Sequence, residues 1–306
     1  MTKNLLVRFH SLGDVVLASG LASSMSQVGE LTFVSSPIYK SIVERIPGDI
    51  HFHPYSGCPR MLRKKTESFD KIIDLQNNIA TKLAFIGKDV SRFSFSRRAR
   101  RKVLFGSPDT LPWRAEEYLK VWSGEGNANP ILNRLNQPQS DKFTVGIVAG
   151  GRWLMKSIPQ GTIAELARLF CDVKGAEVQI LGDSSDKELA DSIVESCGFR
   201  SVKQVAGEGS VEDLITRIEK LDLLISPDSG PAHLAIALGV PVQVVFTSTS
   251  PALGFWKADY KGNYMVKSVP CRPCHKHGAN KCSLNEQCRK MLIPREMYEE
   301  AMCLLV

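Results

Sequence analysis

The chain has 306 residues, enough for roughly two domains of ordinary size, and 43% of them are hydrophobic, as in a globular protein. No apolar run reaches the roughly 18–20 residues of a membrane span, which argues against an integral membrane protein. The net charge of +7 is uneven, because residues 60–102 carry 13 Lys and Arg against 4 Asp and Glu. This excess indicates a polyanionic partner: nucleic acid, an anionic membrane or a phosphorylated substrate. Residues 1–14 lack a signal-peptide pattern, so we expect a cytoplasmic location.

Short apolar segments alternate with helical patterns in the first part of the chain. This alternation is typical of a parallel sheet with helices on both faces. No G-x-G-x-x-G follows the first strand, which disfavours a dinucleotide site there. The predicted strands are Leu5–Phe9, Leu31–Ser35, His51–Tyr55 and Lys71–Leu75, and the predicted helices are Val15–Val28, Pro37–Ile46, Asn77–Ile86 and Glu116–Trp122.

A second α/β set follows Gly124–Ser140, a stretch rich in Gly, Asn and Pro that predicts an interdomain linker. Its predicted strands are Phe143–Val148, Glu177–Leu181, Leu221–Ser226 and Pro241–Thr247, and its predicted helices are Gln160–Lys174, Asp186–Cys197, Val211–Leu221 and Ala232–Leu238. We therefore expect two doubly wound α/β domains, residues 1–135 and 141–306, facing each other across a cleft between their strand ends. The last helix could pack back on the N-terminal domain.

The stretch from Leu221 to Pro251 predicts a strand, a tight turn, a helix and a second strand. Pro231 suits the first helical position, where its missing N–H costs nothing, and Gly239 is a natural stop. Such a unit leaves backbone N–H groups of Ser229, Gly230 and Ala232 at a helix N-terminus, where partial positive charge favours phosphate. It therefore predicts a cradle for a nucleotide diphosphate, although a plain βαβ connection would look similar.

Two residues could carry out the chemistry of group transfer. Asp14 follows the first strand, where a carboxylate could deprotonate a substrate hydroxyl, or could merely cap the next helix. Lys156 follows the first strand of the second domain, where an ammonium could offset charge on a departing diphosphate. The alternative for Lys156 is a solvated surface lysine.

Other polar residues are predicted near the same strand ends. Asp228 could accept N–H bonds from its own loop, and His233 could donate to a phosphate or be structural. Asp186 could bind ribose hydroxyls or simply add negative charge to a helix start.

Four of the eight cysteines cluster near the C-terminus, namely Cys271, Cys274, Cys282 and Cys288. The first pair has the spacing of a zinc site and the second does not. Structural zinc is therefore one hypothesis, and free or redox-labile thiols are the other.

A basic segment with interleaved phenylalanines contains Arg92, Arg97, Arg98, Arg100, Arg101 and Lys102. It could bind RNA, but no recognisable nucleic-acid module surrounds it. An anionic lipid or sugar-phosphate acceptor suits it better, and a merely solvated basic helix is the remaining alternative.

Several of these motifs together resemble glycosyltransferase family 9, the heptosyltransferases of lipopolysaccharide core assembly. The matching sequences are RFHSLGDV at residues 8–15, KSIP at residues 156–159, DSGPAHLA at residues 228–235 and GVP at residues 239–241. The CxPC at residues 271–274 also occurs in this family. The order and spacing of the motifs agree over nearly the whole chain.

The resemblance implies a two-domain GT-B fold, with an acceptor-binding N-terminal domain and a nucleotide-sugar-binding C-terminal domain. It implies inverting, metal-independent transfer of a heptose from ADP-heptose to the lipopolysaccharide inner core at the inner face of the inner membrane. Carried over by position, Asp14 would be the general base and Lys156 the diphosphate contact. The phosphates would be bound by Asp228, Ser229 and Gly230 with His233 nearby, the ribose by Asp186, and the adenine near Ser210 and Val211.

Three rival interpretations follow from the same residues. The donor could be another nucleotide-sugar. The two-domain architecture would equally suit a nucleotide-sugar epimerase, which converts its donor without an acceptor. The basic segment alone would suit a non-catalytic protein that binds anionic lipid or RNA in a salt-sensitive manner.

Overall fold

The structure, a computed structural model, describes residues 2–65, 68–122, 125–137, 141–257, 262–275 and 277–305. Contacts divide the chain into two units, one of Met1–Ser96 and Pro112–Arg134 and one of Arg97–Leu111 and Leu135–Val306. The last division falls inside the predicted linker, of which Gly124 and residues 138–140 lie outside the described residues. No sequence signal predicted that residues 97–111 group with the second unit.

The first unit is a parallel sheet with short helices. Its strands are β1 Thr2–Val7, β2 Gly29–Ser35, β3 Ile50–Pro54, β4 Lys71–Asp74 and β5 Val90–Arg92. Its helices are α1 Leu12–Leu17, α2 Ser19–Ser26, α3 Lys40–Glu44, α4 Pro59–Lys65, α5 Ile79–Ala84 and α7 Arg114–Trp122, with α6 Arg97–Leu104 belonging to the second unit. The described strands lie in the order β3-β2-β1-β4-β5, and every pairing is parallel.

Strand β1 is central because its residues are apolar on both faces of the sheet. Leu5, Leu6 and Val7 are at most 1% exposed, which fits a strand covered on both sides. The chain proceeds outward from β1 to β3 and then returns to the other side of β1 as β4. The loops after β1 and β4 therefore diverge, and the crevice between two such strand ends is the usual ligand site of an open α/β sheet.

The second unit repeats this design with longer helices. Its strands are β6 Thr144–Val148, β7 Glu177–Leu181, β8 Val202–Gln204, β9 Leu223–Pro227, β10 Val242–Phe246 and β11 Asn263–Val266. Its remaining helices are α8 Gln160–Lys174, α9 Lys187–Cys197, α10 Val211–Ile218, α11 Gly230–Ala237, α12 Gln287–Lys290 and α13 Pro294–Met302. The described strands lie in the order β11-β10-β9-β6-β7-β8, all parallel.

In this sheet the strands are added on one side of β6 as far as β8 and then on its other side from β9, so the second crevice is expected beside the ends of β6 and β9. A large apolar core holds the sheet against its helices and includes Val145, Ile180 and Phe170. The last helix, α13, packs within this unit against α8, where Tyr298 contacts Phe170 with ring centroids 4.9 Å apart.

Two parallel, doubly wound α/β units confirm the predicted fold class. Within the described residues, none of the helices combines the length and apolar character needed to cross a membrane.

Candidate functional site

The Asp14 carboxylate lies at the predicted crevice of the first unit, in the first turn of α1 after β1. Its Oδ2 is 2.6 Å from Arg8 Nη2, and its Oδ1 accepts a 2.8 Å hydrogen bond from the Tyr118 hydroxyl. Arg8 is itself fixed, since it donates to the carbonyl oxygen of Leu75 after β4 at 2.9 Å. About 17% of the Asp14 side-chain surface stays accessible. The carboxylate is therefore held in one orientation and is still open to a small polar group.

Opposing electrostatic effects decide the charge of Asp14. Burial favours the protonated carboxyl, but the Arg8 guanidinium, the Tyr118 hydroxyl and the Arg114 charge hold the pKa of Asp14 below its usual range. Burial and the nearby carboxylate raise the pKa of Tyr118, so its phenol stays protonated and can only donate to Asp14. The site thus presents an ionised carboxylate at neutral pH, as a general base requires.

Replacing Tyr118 by phenylalanine should move the acid limb of the pH profile of kcat/KM to higher pH. The ring keeps its edge contact with Phe93, but Asp14 loses a donor that favours its ionised form, so its pKa rises. On the prediction that Asp14 is a general base, which works only while ionised, kcat/KM of the variant should begin to fall at a higher pH than that of the wild type. The measurement is kcat/KM against pH on the acid side.

The matched control is Tyr298→Phe, which removes a phenol hydroxyl from the second unit. It should leave the acid limb in place. An unshifted limb in Tyr118→Phe would mean that Tyr118 only fills space.

The second unit brings Lys156 and Asp228 together at its own crevice. Lys156 ends a 3-10 turn, Leu154–Lys156, in the connection after β6, and Asp228 follows β9. Lys156 Nζ lies 3.0 Å from Asp228 Oδ2, which also accepts a 3.0 Å hydrogen bond from Thr249 Oγ1 after β10. The strand order therefore places a cation, a carboxylate and a hydroxyl from three neighbouring strand ends at one point.

Asp228 is ionised although it is largely buried. Burial alone would raise its pKa, but the charges of Lys156 and His233 and the hydrogen bond from Thr249 lower it below the ordinary value. Lys156 and Asp228 side chains keep 20% and 13% of their surface exposed. An anionic ligand could thus reach the ammonium from the solvent side.

Helix α11 begins directly beside this ion pair. Ser229 is its N-cap in extended geometry, Gly230 is its first residue, and no side chain caps its first N–H groups. The Ser229 hydroxyl is engaged instead with Ser226 Oγ at 3.0 Å. His233, in the next turn, is 6% exposed. Backbone donors and the ammonium of Lys156 therefore adjoin each other, which is the chemistry of a phosphate site.

Asp186 follows β7, and Ser210 and Val211 follow β8, so all three lie at the carboxyl-terminal edge of the sheet, as Lys156 and Asp228 do. Asp186 lies just before α9, and its carboxylate accepts a 3.0 Å hydrogen bond from the backbone of Asp183. Ser210 is the N-cap of α10 and accepts from the Asp213 backbone at 3.3 Å. Ser210 therefore caps a local turn, whereas the Asp186 carboxylate also accepts a backbone hydrogen bond from Gly151 in the loop that leads to Lys156. Neither side chain is brought to the ion pair itself by the contacts described.

A segment near the C-terminus packs against the turn that carries Lys156. Two backbone N–H groups of this turn donate to the Ala279 carbonyl at 2.8 Å and to Asn280 Oδ1 at 3.2 Å. Arg289 Nε donates to the carbonyl that follows the turn at 3.1 Å. A Cβ added to Gly278 would lie 2.6 Å from Lys156 Cγ, so glycine is needed for this close approach. We call residues 278–289 the C-terminal brace.

The four clustered cysteines come together in the fold, because burial and the nearby thiols of Cys274, Cys271 and Cys282 raise the pKa of Cys288. Across the described ranges, which include all four clustered cysteines, no group of three or more His, Cys, Asp or Glu side chains is arranged to hold a metal ion. All four are free thiols, and burial together with neighbouring Cys271 raises the pKa of Cys274. In the structure, this segment packs against the turn that carries Lys156.

The basic segment is divided between the two units. Arg92 ends β5 in the first unit, with Nε 3.6 Å from Asp74, whereas Arg97 to Lys102 lie on α6 in the second. The exposed cations of α6 are Arg97, Arg98, Arg101 and Lys102, and Arg100 is half-buried. The segment is thus a basic helix and a separate arginine.

Sequence reasoning missed three residues of these sites. Arg8 stands in the same motif as Asp14, so its position at a strand end could have indicated a partner. Tyr118 lies 104 residues from Asp14, and Thr249 lies 21 residues from Asp228. Only the packing of α7 and the adjacency of β9 and β10 bring these two to their carboxylates.

Residues 128–287 match the family model described as glycosyltransferase family 9 (heptosyltransferase). A relative from Haemophilus influenzae, the lipopolysaccharide core heptosyltransferase OpsX, is 38% identical over 286 residues, covering 80% of this chain and 79% of that protein.

Two solved structures share the fold. Escherichia coli ADP-heptose lipopolysaccharide heptosyltransferase II superimposes with a TM-score of 0.77 at 17% identity, covering 100% of this chain and 98% of the other. Escherichia coli heptosyltransferase WaaC with ADP gives 0.67 at 18% identity, covering 86% and 92%. These similarities confirm the predicted GT-B type fold.

Proposed function

The chain belongs to glycosyltransferase family 9, and from this premise we propose that it moves a heptose from ADP-heptose to the lipopolysaccharide inner core with inversion. The chain is thus a glycosyltransferase, and the proposal concerns its substrates, its stereochemistry and its independence of metal. The main observation in support of the proposal is that the Lys156–Asp228 ion pair lies beside the start of α11, whose first N–H groups have no side-chain cap.

The C-terminal domain predicted from the sequence, residues 141–306, would bind the nucleotide-sugar. Lys156 and the first N–H groups of α11, from Ser229 and Gly230 onward, would hold the diphosphate, with His233 close by. Asp228 would hold Lys156 in place through the 3.0 Å ion pair. Asp186 would bind the ribose, and Ser210 and Val211 would lie near the adenine, since all three follow strands of the same sheet edge.

The N-terminal domain predicted from the sequence, residues 1–135, would bind the acceptor and supply the base. Asp14 would take the proton of the acceptor hydroxyl as its oxygen forms a bond to the anomeric carbon. The bond from that carbon to the diphosphate oxygen breaks, and ADP leaves with the electron pair. Lys156 and the α11 amides would offset the charge that develops on the leaving oxygen. One displacement of this kind inverts the anomeric centre and requires neither a covalent intermediate nor a metal.

The cations of the basic segment would contact the phosphates of the lipid A–core acceptor, and nucleic acid is not a proposed partner. Four of them, Arg97, Arg98, Arg101 and Lys102, are exposed on α6. Each Lys or Arg near an anionic surface contributes about 1 kcal/mol. This acceptor would place the enzyme in the cytoplasm at the inner face of the inner membrane.

A panel of nucleotide-sugars tests the donor. At a hundredfold excess over its dissociation constant, ADP-heptose should stabilise the chain against unfolding by about 2.7 kcal/mol. UDP- and GDP-sugars should stabilise it less at the same concentration. The readouts are thermal unfolding with each donor and, with acceptor added, the anomeric configuration of the product.

Two results would contradict the proposal. Stronger stabilisation by a UDP- or GDP-sugar would identify a different donor. Conversion of ADP-heptose in the absence of an acceptor would indicate the epimerase alternative.

A further inference from the structure

Helix α5 in the first unit is apolar on two opposite faces. Thr81, Ala84 and Phe85 are at most 1% exposed, and Ala84 and Phe85 pack with Leu62 of α4 in the core. A helix turns by about 100° per residue, so positions 79, 83 and 86 fall roughly opposite this buried face. We call Ile79, Leu83 and Ile86 the outer stripe, with Ile86 in the turn that ends the helix.

The outer stripe is exposed to an unusual degree for large apolar side chains. Ile79 is 77% exposed, Leu83 is 51% and Ile86 is 55%, and Met61 on the adjoining α4 is 56%. Single exposed apolar residues are common, but a row of them on one helix face beside another helix marks an interaction surface. A helix with apolar residues all round is normally covered on both sides.

The stripe belongs to a well-formed helix. Asn78 and Thr81 form a reciprocal capping box at its start, with hydrogen bonds of 3.0 Å in each direction. Such a box stabilises the first turn and fixes the helix orientation. The exposure of the stripe is therefore a property of the folded helix.

Exposed cations accompany the outer stripe on α5 and on α4, which packs against it. Arg60, Arg63 and Lys64 are exposed on α4, Lys82 is exposed on α5, and Lys88 is exposed in the turn after α5. Asp89, also exposed, follows Lys88 and is the nearest acidic neighbour in sequence. An apolar row bordered by Lys and Arg on short helices has the composition of a surface that lies in a membrane interface.

We propose that the α4–α5 surface docks on an anionic lipid bilayer, with the outer stripe entering the boundary between headgroups and acyl chains. The surrounding cations then contact headgroup phosphates, which draws the surface onto anionic rather than neutral lipid. The excess of cations over Asp89 near the stripe favours a bilayer over a second copy of this chain, because two copies would bring mostly like charges together. The inference adds a surface to the proposed acceptor membrane and does not depend on the reaction catalysed.

Vesicle co-sedimentation of the full chain tests the inference. The vesicles contain phosphatidylcholine and phosphatidylglycerol in equal parts, with pure phosphatidylcholine as the neutral comparison. The variant Ile79→Ser/Leu83→Ser/Ile86→Ser should lose about tenfold or more of its partition to anionic vesicles, since its apolar contact is removed. The variant Arg63→Gln/Lys82→Gln/Lys88→Gln should bind more weakly and with less dependence on salt.

A matched control changes apolar residues of similar exposure elsewhere. Val28, Ile38 and Val173 are 61%, 61% and 57% exposed, and the variant Val28→Ser/Ile38→Ser/Val173→Ser should sediment like the wild type. Thermal unfolding verifies that each variant is folded.

Three outcomes would overturn the inference. They are equal sedimentation of the stripe variant and the wild type, equal binding to neutral and anionic vesicles, and self-association in solution that the stripe substitutions abolish. The last would make the stripe an interface between copies. Stabilisation by ADP-heptose, measured without vesicles, reports separately on the proposed function, so either proposal can fail alone.

Discussion

Asp14→Asn is expected to lower the rate of sugar transfer by about 10²–10⁴-fold, the usual contribution of a general base. Asparagine keeps an oxygen that can accept the Tyr118 hydrogen bond but cannot take a proton from the acceptor. Donor binding should be unchanged, because Lys156 and α11 belong to the other unit. The measurements are the steady-state transfer rate and thermal stabilisation by ADP-heptose.

The same substitution has a stability signature with a definite sign. The folded pKa of Asp14 is lowered, so its ionised form stabilises the fold above the unfolded pKa, and this contribution is lost as the pH falls through the folded pKa. The variant should therefore be less stable than the wild type at neutral pH, and the difference should narrow at acid pH. Asp49→Asn, an exposed carboxylate of the same unit, is the control and should alter neither property. Wild-type turnover in Asp14→Asn would remove the base from the mechanism.

Lys156→Met should lower kcat by about 10²–10³-fold, the cost of removing one group that stabilises charge in a transition state. Methionine preserves much of the stem that packs against Gly278 but removes the ammonium. It also leaves Asp228 without its cation, and breaking a buried ion pair costs ~3–5 kcal/mol. Because both side chains are partly exposed and Thr249 still donates to Asp228, the loss of stability should be smaller than that.

The double variant Lys156→Met/Asp228→Asn separates the two effects. It removes the unpaired carboxylate, so the free energy of unfolding should recover while the transfer rate stays low. The measurements are denaturant unfolding and kcat for the three proteins. Recovery of activity together with stability would mean that Lys156 serves the fold and not the leaving group.

Long elements with clear end signals were predicted with their observed bounds. Helix α8, Gln160–Lys174, stops where Gly175 adopts a left-handed conformation, and β7, Glu177–Leu181, follows directly. The predicted helix Val15–Val28 was wrong, because the chain forms α1 and α2 with a break near Ala18. At this break Ser19 Oγ donates to the Val16 carbonyl at 2.7 Å, a local bond that competes with a straight helix.

Among the site residues, too, those marked by local sequence signals were predicted and those that depend on distant packing were not. Lys156, Asp228 and the start of α11 were predicted because glycine, proline and charge mark strand ends in the sequence itself. The partners of Asp14 were not, because Tyr118 reaches it only through the packing of a distant helix. Asp186 was predicted inside α9 but lies just before it, since its carboxylate binds back to the Asp183 backbone. The short strands β5, β8 and β11 were also missed, since three or four residues give too few positions for a pattern.

The C-terminal brace means that the position of Lys156 depends on residues that need never contact a ligand. A shortened chain that stops before Gly278 would lose the hydrogen bonds that join Ala279, Asn280 and Arg289 to the turn carrying Lys156, together with the core side chains of α13, such as Met297 and Tyr298. Expression designs that trim the cysteine-rich tail would therefore weaken both the support of Lys156 and the core of the second unit. Alkylating reagents aimed at Cys282, which lies within the brace, would act on the same support.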